Sequence, residues 1–207
     1  NAGNYEFGFA PVVASNGTDF LVATESGFHG GTGSDQTYIQ LARYDSSGAR
    51  IANGANAYLH DVARTQSLAT NALGMDLVWA GDHYRLAWKT LQPRDSSSSD
   101  DPLLKFAKIP ATGVPQPANI TSVTDGSNQA AYADASGAPS LAYDARNNRT
   151  LLIYRSANSC VNATLYEGGS TTPTRSDRFL LGGGSNYTSC ALTSDRPLAA
   201  YSPVANS

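Results

Sequence analysis

The chain has 207 residues, of which 41% are hydrophobic and 15% charged, with a formal net charge of -3. A chain this long buries a substantial core without help from a metal or a disulfide, and its three lysines, Lys89, Lys105 and Lys108, make no basic footprint for nucleic acid. No run of about 18 apolar residues is present, so no membrane-spanning helix is expected, and the abundance of Gly, Ser, Thr and Asn favours turns over helix interiors.

In chain order, the opening stretch "NAGNYEFGF" lacks the basic and apolar parts of an export signal, as a processed N-terminus or a boundary within a longer chain would. The first hairpin follows: Val12-Val13-Ala14, a polar turn Ser15 to Asp19, then Phe20-Leu21-Val22-Ala23. A second copy is "MDLVWAGDHYRLAWKT" at 75–90, turning at Gly81-Asp82-His83. A third is "PSLAYDARNNRTLLIYRS" at 139–156, turning at Arg146-Asn147-Asn148, and a fourth is "CALTSDRPLAAYSP" at 190–203. Val13, Leu77 and Leu141 recur 64 residues apart, and the step to Ala191 is 50.

A third apolar strand follows each of the first three hairpins: Tyr38 to Tyr44, Leu103 to Ile109, and Val161 to Tyr166. These run into the turn-rich stretches "DSSGAR", "PATGVPQ" and "EGGSTTPT". Weaker fourth strands are drawn near Ile51, at Ile120 to Val123, and at Phe179-Leu180-Leu181. Short antiparallel strands in equally spaced units predict an all-β, β-propeller-like repeat of three to four blades. The alternative is a β-sandwich or jelly roll, which has no reason to repeat at even spacing. The units are 11–74, 75–138, 139–189 and an incomplete 190–207, all within one β-repeat domain, with residues 1–10 available to complete the last. An unfinished ring leaves open sheet edges, which need closure, a longer parent chain or a homo-oligomer to cover them.

The pattern Pro11-x-Val13-Ala14-x-Asn16-Gly17-Thr18-x-Phe20-Leu21-Val22, followed by Ile39, Arg43 and Gly48 in "YIQLARYDSSGARI", resembles the P-x-V-A-x-N-G-T-x-F-L-V-x-W repeats of secreted and surface proteins of bacteria. The likeness is good in the first unit, partial in the next two and thin in the fourth. Unit one has Thr24 where those repeats carry Trp, while unit two has Trp88 in a comparable place. The resemblance implies architecture and an extracellular or cell-surface location, and leaves activity open.

Two cysteines, Cys160 and Cys190, lack the close spacing and partners of a metal or redox pair, so a structural disulfide in an oxidising compartment is expected. Asn16, Asn119, Asn148, Asn162 and Asn186 stand in glycosylation sequons, slightly more than chance supplies. No catalytic motif with a fixed spacing is present. The loop stretch "SGFHGGTGSDQ" at 26–36 carries His29 and Asp35, and the loop 91–102 carries Arg94 and Asp95. Both follow the second strand of their unit, and together they mark a shared ligand-binding rim. His60 and His83 read as surface or turn residues. No cofactor is required, and Ca²⁺ is the one for which ligands stand close in sequence: Asp95, Asp100 and Asp101 offer hard oxygens, against the alternative of a solvated loop. Trp79, Trp88 and Tyr84 share one hairpin, where packing between units is the expectation and sugar stacking the alternative.

These features favour an exported, non-catalytic module that recognises a glycan or a protein surface. A secreted glycoside hydrolase is the second reading, with acids such as Asp35, Asp95, Asp100 and Asp144 as candidates. A subunit of an extracellular filament or oligomer, joined through open sheet edges, is the third.

Overall fold

A computed structural model of the chain describes residues 6–28, 35–51, 57–59, 64–65, 74–91, 102–112, 118–123, 138–155 and 161–179. All of its regular structure there is strand. The first sheet contains β1 (Glu6–Ser15), β2 (Phe20–Phe28), β3 (Asp35–Tyr44) and β4 (Ala57–Leu59), with β5 (Arg64–Thr65) also paired to β3. The second is the meander β6 (Met75–Trp79), β7 (His83–Leu91), β8 (Pro102–Pro110) and β9 (Ala118–Ser122). The third is the meander β10 (Ser140–Asp144), β11 (Arg149–Arg155), β12 (Val161–Glu167) and β13 (Arg175–Phe179). Every pairing is antiparallel, and among the described residues the three sheets are open.

Each sheet coincides with one of the first three sequence units. The third strands fall where the apolar runs place them; β9 begins two residues ahead of the fourth strand expected at Ile120 to Val123, and β13 begins four residues ahead of the one expected at Phe179 to Leu181 and shares only Phe179 with it. In the first sheet, Ile51 follows only an isolated bridge between Tyr44 and Arg50, and β4 comes later in the chain. Residues 6–9, expected to be free to complete a fourth unit, extend β1 instead and pair with Glu25–Phe28 beyond a bulge between Phe9 and Val12. The fourth hairpin lies outside the described residues.

The turns explain why the hairpins form where they do. In the first, Asn16 N–H donates to the Asp19 carbonyl at 3.1 Å, which leaves Gly17 and Thr18 as a two-residue loop. In the second, Ala80 N–H donates to the His83 carbonyl at 2.7 Å around Gly81 and Asp82. Gly17 and Gly81 have φ of 92° and 85°, the left-handed conformation that the first position of a type II′ hairpin turn requires. Asn16 sits just ahead of its turn, and its side-chain Oδ1 accepts from Thr18 N at 2.8 Å and Asp19 N at 2.7 Å. The third hairpin has a longer loop that ends on Asn148 at φ 51°, and Asp144 Oδ1 accepts from Arg146 N at 3.0 Å at its start.

Alternation along each strand gives every sheet two faces, and both are apolar. One, here the leading face, carries Val13, Phe20 and Val22 in sheet one, Leu77, Tyr84 and Leu86 in sheet two, and Leu141, Thr150 and Leu152 in sheet three. The other, the trailing face, carries Leu21, Ala23 and Leu41, then Arg85, Ala87 and Phe106, then Leu151, Ile153 and Ala163. The cross-strand registers keep these positions equivalent: Val13↔Val22, Leu77↔Leu86 and Leu141↔Leu152 pair across the first two strands. One core joins the trailing side chains Leu21, Ala23 and Leu41 to the leading side chains Leu77, Tyr84, Leu86 and Trp88. A second joins Ala87, Leu104 and Phe106 to Leu141, Leu152, Tyr154 and Tyr166. Sheet two is therefore covered on both sides, and the stacking runs head to tail. Truncating a fully buried leucine in these layers, such as Leu86 or Leu152, costs about 2–5 kcal/mol.

Close approach between neighbouring sheets is concentrated at their first strands, where β6 lies against both β1 and β10. Gly74, just ahead of β6, shows how close: a Cβ there would stand 2.4 Å from Cα of Ala138, which precedes β10 by two residues. Asp76 on β6 bridges the gap, because its Oδ2 accepts from the Leu141 amide of β10 at 2.6 Å.

Candidate functional site

The described polar groups gather at the hairpin-turn end of the stack, in the seams between sheets. Arg43, buried on the trailing face at the end of β3, donates through Nη2 to the carbonyl of Pro110 at the end of β8, and its guanidinium lies 5.5 Å from the ring centroid of Tyr84. Arg85 repeats the device one sheet on. It donates through Nη1 to the Ser170 carbonyl at 2.8 Å and through Nη2 to the Gly168 carbonyl, both in the turn after β12. Its guanidinium stacks 5.3 Å from Phe106 and 5.8 Å from Tyr166, two rings that themselves stack at 4.2 Å. Burial lowers the pKa of both guanidinium groups from the ordinary arginine value.

Lys108 pairs with Arg85 across β7–β8 as Arg43 pairs with Leu21 across β2–β3, so Lys108 occupies the position of Arg43 in the next sheet. Its Nζ lies against the Gly169 backbone, 2.9 Å from where a Cβ would stand, and the His83 ring edge is 4.0 Å from the same point. His83 is buried, not a surface residue as its turn position suggested, because sheet three covers the end of β7. Its Nδ1 contacts Asp82 Oδ1, and its buried Nε2 meets no partner among the described residues. Desolvation is the largest cause lowering the His83 pKa, reinforced by Lys108 and Arg85 and opposed by Asp82. The hydrogen bond from His83 in turn lowers the pKa of the exposed Asp82. Tyr143 closes the seam from β10: its hydroxyl lies 2.9 Å from where a Cβ of Gly81 would stand and donates to Asn148 Oδ1 at 3.1 Å.

This cluster holds an imidazole, a carboxylate and an ammonium group, but among the described residues neither ring nitrogen of His83 contacts a hydroxyl. Ser170 Oγ, in the adjoining turn, donates instead to the Thr172 carbonyl at 3.0 Å. What the arrangement does chemically is bind carbonyl groups of the next sheet with buried cations. Trp88 and Tyr84 are buried in the core between sheets one and two, with Trp79 packed edge-on to Tyr84 at a centroid distance of 4.8 Å. Their role is the expected inter-unit packing.

Of the residues singled out in the sequence, His29, Arg94, Asp95, Asp100, Asp101, Cys160, Cys190 and Asn186 lie outside the described residues. Asp35 opens β3, its backbone paired with Thr65, and Asn119 lies in β9. The strand pairs flanking the two candidate loops, Phe28↔Gln36 and Leu91↔Pro102, stand at the end of the stack opposite the hairpin turns. Asp144 is committed to its own turn: Asn147 Nδ2 donates to Oδ2 at 2.6 Å, and this bond is the largest cause lowering its pKa. Of the sequons, Asn16 is half-buried in its turn and Asn148 is exposed. Asn162 is buried within β12, where a glycan has no room once the sheet has formed. Among the described residues no group of three or more His, Cys, Asp or Glu is arranged to hold a metal ion, and no helix is long and apolar enough to cross a membrane. No family model matches the chain, and neither does any curated protein or solved structure.

Sequence reasoning missed the buried arginines. The one signal available was position, since Arg43 stands opposite Leu21 and Arg85 opposite Val78 in otherwise apolar strands.

Proposed function

We propose that the chain is an exported, β-propeller-like recognition module that presents loops from one end of a rigid stack to a glycan or protein surface. The observation that carries this reading is the equivalent placement of the connections between second and third strands. In all three sheets they leave from the end opposite the tight hairpins, so the long loops 29–34 and 92–101 share one rim. Rigid sheets carrying variable loops are a common way to build a binding surface. Support for blades over a sandwich comes from the approach of the sheets at their first strands, because the layers of a sandwich stay roughly 10 Å apart along their length. The aromatic residues of the second hairpin are spent on packing, which leaves the loop rim with Arg94, Asp95, His29 and Asp35 as the place for a ligand. Ca²⁺ held by Asp95, Asp100 and Asp101 is the ion that fits that loop's chemistry.

The test is a glycan array run beside a panel of glycosidase substrates. Binding that is lost on Arg94→Ala with Asp95→Ala, without turnover of any substrate, is the expected outcome. Turnover that survives purification and disappears with one acidic-to-amide substitution supports the hydrolase reading in its place.

A further inference from the structure

One repeat position, at the turn end of each second strand, is filled differently in the three sheets. Asp19, His83 and Arg149 are equivalent, because the pairs Phe20↔Tyr44, Tyr84↔Ile109 and Thr150↔Tyr166 follow one residue further along. The turns agree, since Asn16 N–H donates to the Asp19 carbonyl as Ala80 N–H does to that of His83. Asp19 is half-buried and Arg149 exposed, whereas His83 is 1% exposed.

The groups around the His83 ring come from two sheets. In its own sheet, Asp82 Oδ1 contacts Nδ1, and Arg85 of β7 and Lys108 of β8 set two cations beside the ring. From sheet three, Gly169 covers the ring edge, the flanking Gly168 and Ser170 carbonyls are held by Arg85, and the Tyr143 hydroxyl lies against Gly81. Glu167, the carboxylate beside that turn, is engaged by Arg149 Nη2 at 3.0 Å. Nε2 is buried and meets no acceptor among the described residues. A proton arriving there adds a third positive charge to a seam closed to water, on an N–H that nothing accepts. Asp82 is the counterweight, but it is 77% exposed and screened by solvent.

We propose that His83 is a proton-operated latch on the seam between sheets two and three: its imidazolium unseats the Gly168–Ser170 turn and parts these sheets, while sheets one and two stay packed. Parting lets water reach Nε2, Lys108 and Arg85 together. It costs the two Arg85 bonds to the turn and the bond from the Leu141 amide to Asp76. The other seam has Asp19 at this place, so the same acidification adds no cation there. Desolvation, then Lys108 and Arg85, oppose protonation of the closed form, and the hydrated ring takes its proton near the ordinary value of 6.5. The seam is therefore tightest above that pH and loosens as pH falls below it. Between pH 7.5 and 5 the ratio of open to closed seam rises by up to about thirtyfold. The latch acts on the stack, whichever ligand the loop rim takes.

Residue-resolved hydrogen exchange on the full chain at pH 7.5 and 5, each rate divided by that of an unstructured peptide at the same pH, tests the proposal. The Leu141 amide is the reporter, because its acceptor lies across the seam. Its protection falls at least tenfold on acidification, while the amides of Leu21, Val22 and Ala23 change less than twofold. His83→Gln, uncharged at both pH values, holds the Leu141 change under threefold, and Lys108→Met makes it smaller than in the parent. An unchanged Leu141 amide in the parent overturns the proposal, as does a fall that His83→Gln matches. A fall shared equally by β2 also overturns it, since that is loss of the whole fold. Where His83→Gln does not fold, the ring signal of the parent decides: a proton titration midpoint below that of an unstructured histidine peptide is expected, and one at or above it sinks the latch.

Discussion

Replacing Arg85 by Ala removes a two-bonded polar tie between sheets two and three. The guanidinium supplies two charge-assisted hydrogen bonds, to the Gly168 and Ser170 carbonyls, in a seam from which water is excluded. Each such bond to a charged donor contributes about 1.5–3 kcal/mol. Stacking on Phe106 and Tyr166 adds about 0.5–2 kcal/mol. Against this stands the cost of burying a cation with no ion-pair partner in contact among the described residues, the same desolvation that lowers its pKa. Setting a few kcal/mol of that cost against the gains leaves a net loss of about 3 kcal/mol on truncation, since the mutation also orphans two carbonyls and opens a cavity. Urea unfolding of the full chain, with midpoint and slope fitted together, reads it. Arg85→Lys, which keeps the charge and loses the fork, falls between the parent and Arg85→Ala. An Arg85→Ala chain within 0.5 kcal/mol of the parent at unchanged slope refutes the idea that a buried cation clamps the sheets.

Four further outcomes are expected. The folded-state pKa of His83 lies below its unfolded value near 6.5, so its contribution is complete above that pH and is lost as pH falls through and below it. The melting temperature of the parent therefore drops between pH 7 and 5 more steeply than that of His83→Phe, and parallel curves sink the assignment. Gly74→Ala destabilises by about 1–3 kcal/mol by forcing β6 away from Ala138, whereas Gly17→Ala, with open space around it, loses about 1 kcal/mol through its backbone alone; equal losses in thermal unfolding contradict this. Asp76→Ala leaves the Leu77 and Leu141 amides without their acceptor and costs about 1–3 kcal/mol, seen as faster hydrogen exchange at Leu141. A tryptic map without reductant yields peptide 156–175 linked to 179–207 if Cys160 and Cys190 are bonded, since the Arg196–Pro197 bond resists trypsin, and separate thiol peptides reject that pairing.

The repeat was readable because it rests on local chemistry. Turn residues such as Gly17 and Gly81 and the alternation of Leu77, Trp79, Leu86 and Trp88 are fixed by neighbours in the chain, so the three meanders follow from the spacing. Which polar side chains are buried depends instead on what the next sheet places opposite them. The burial of Arg43 and Arg85 left no mark in the sequence because the carbonyls of Pro110, Gly168 and Ser170 that they bind lie on another sheet, 67 to 85 residues away in the chain, and His83 read as a surface or turn residue because the sheet that covers it is equally distant in sequence. Asn162 misled for the same reason, since a sequon carries no record of the strand it occupies. The loop candidates His29, Arg94, Asp95, Asp100 and Asp101 were picked out by composition, and the sheets fix only where their loops begin and end.

Because each sheet meets its successor through the same pair of surfaces, the interfaces are interchangeable parts. Excising residues 75–138 brings Leu141, Thr150 and Leu152 to the side chains of Leu21, Ala23 and Leu41, which already accept their counterparts Leu77, Tyr84 and Leu86. Such a chain changes length in steps of one whole module, so duplication and loss of modules are the natural route by which descendants of this sequence vary in size.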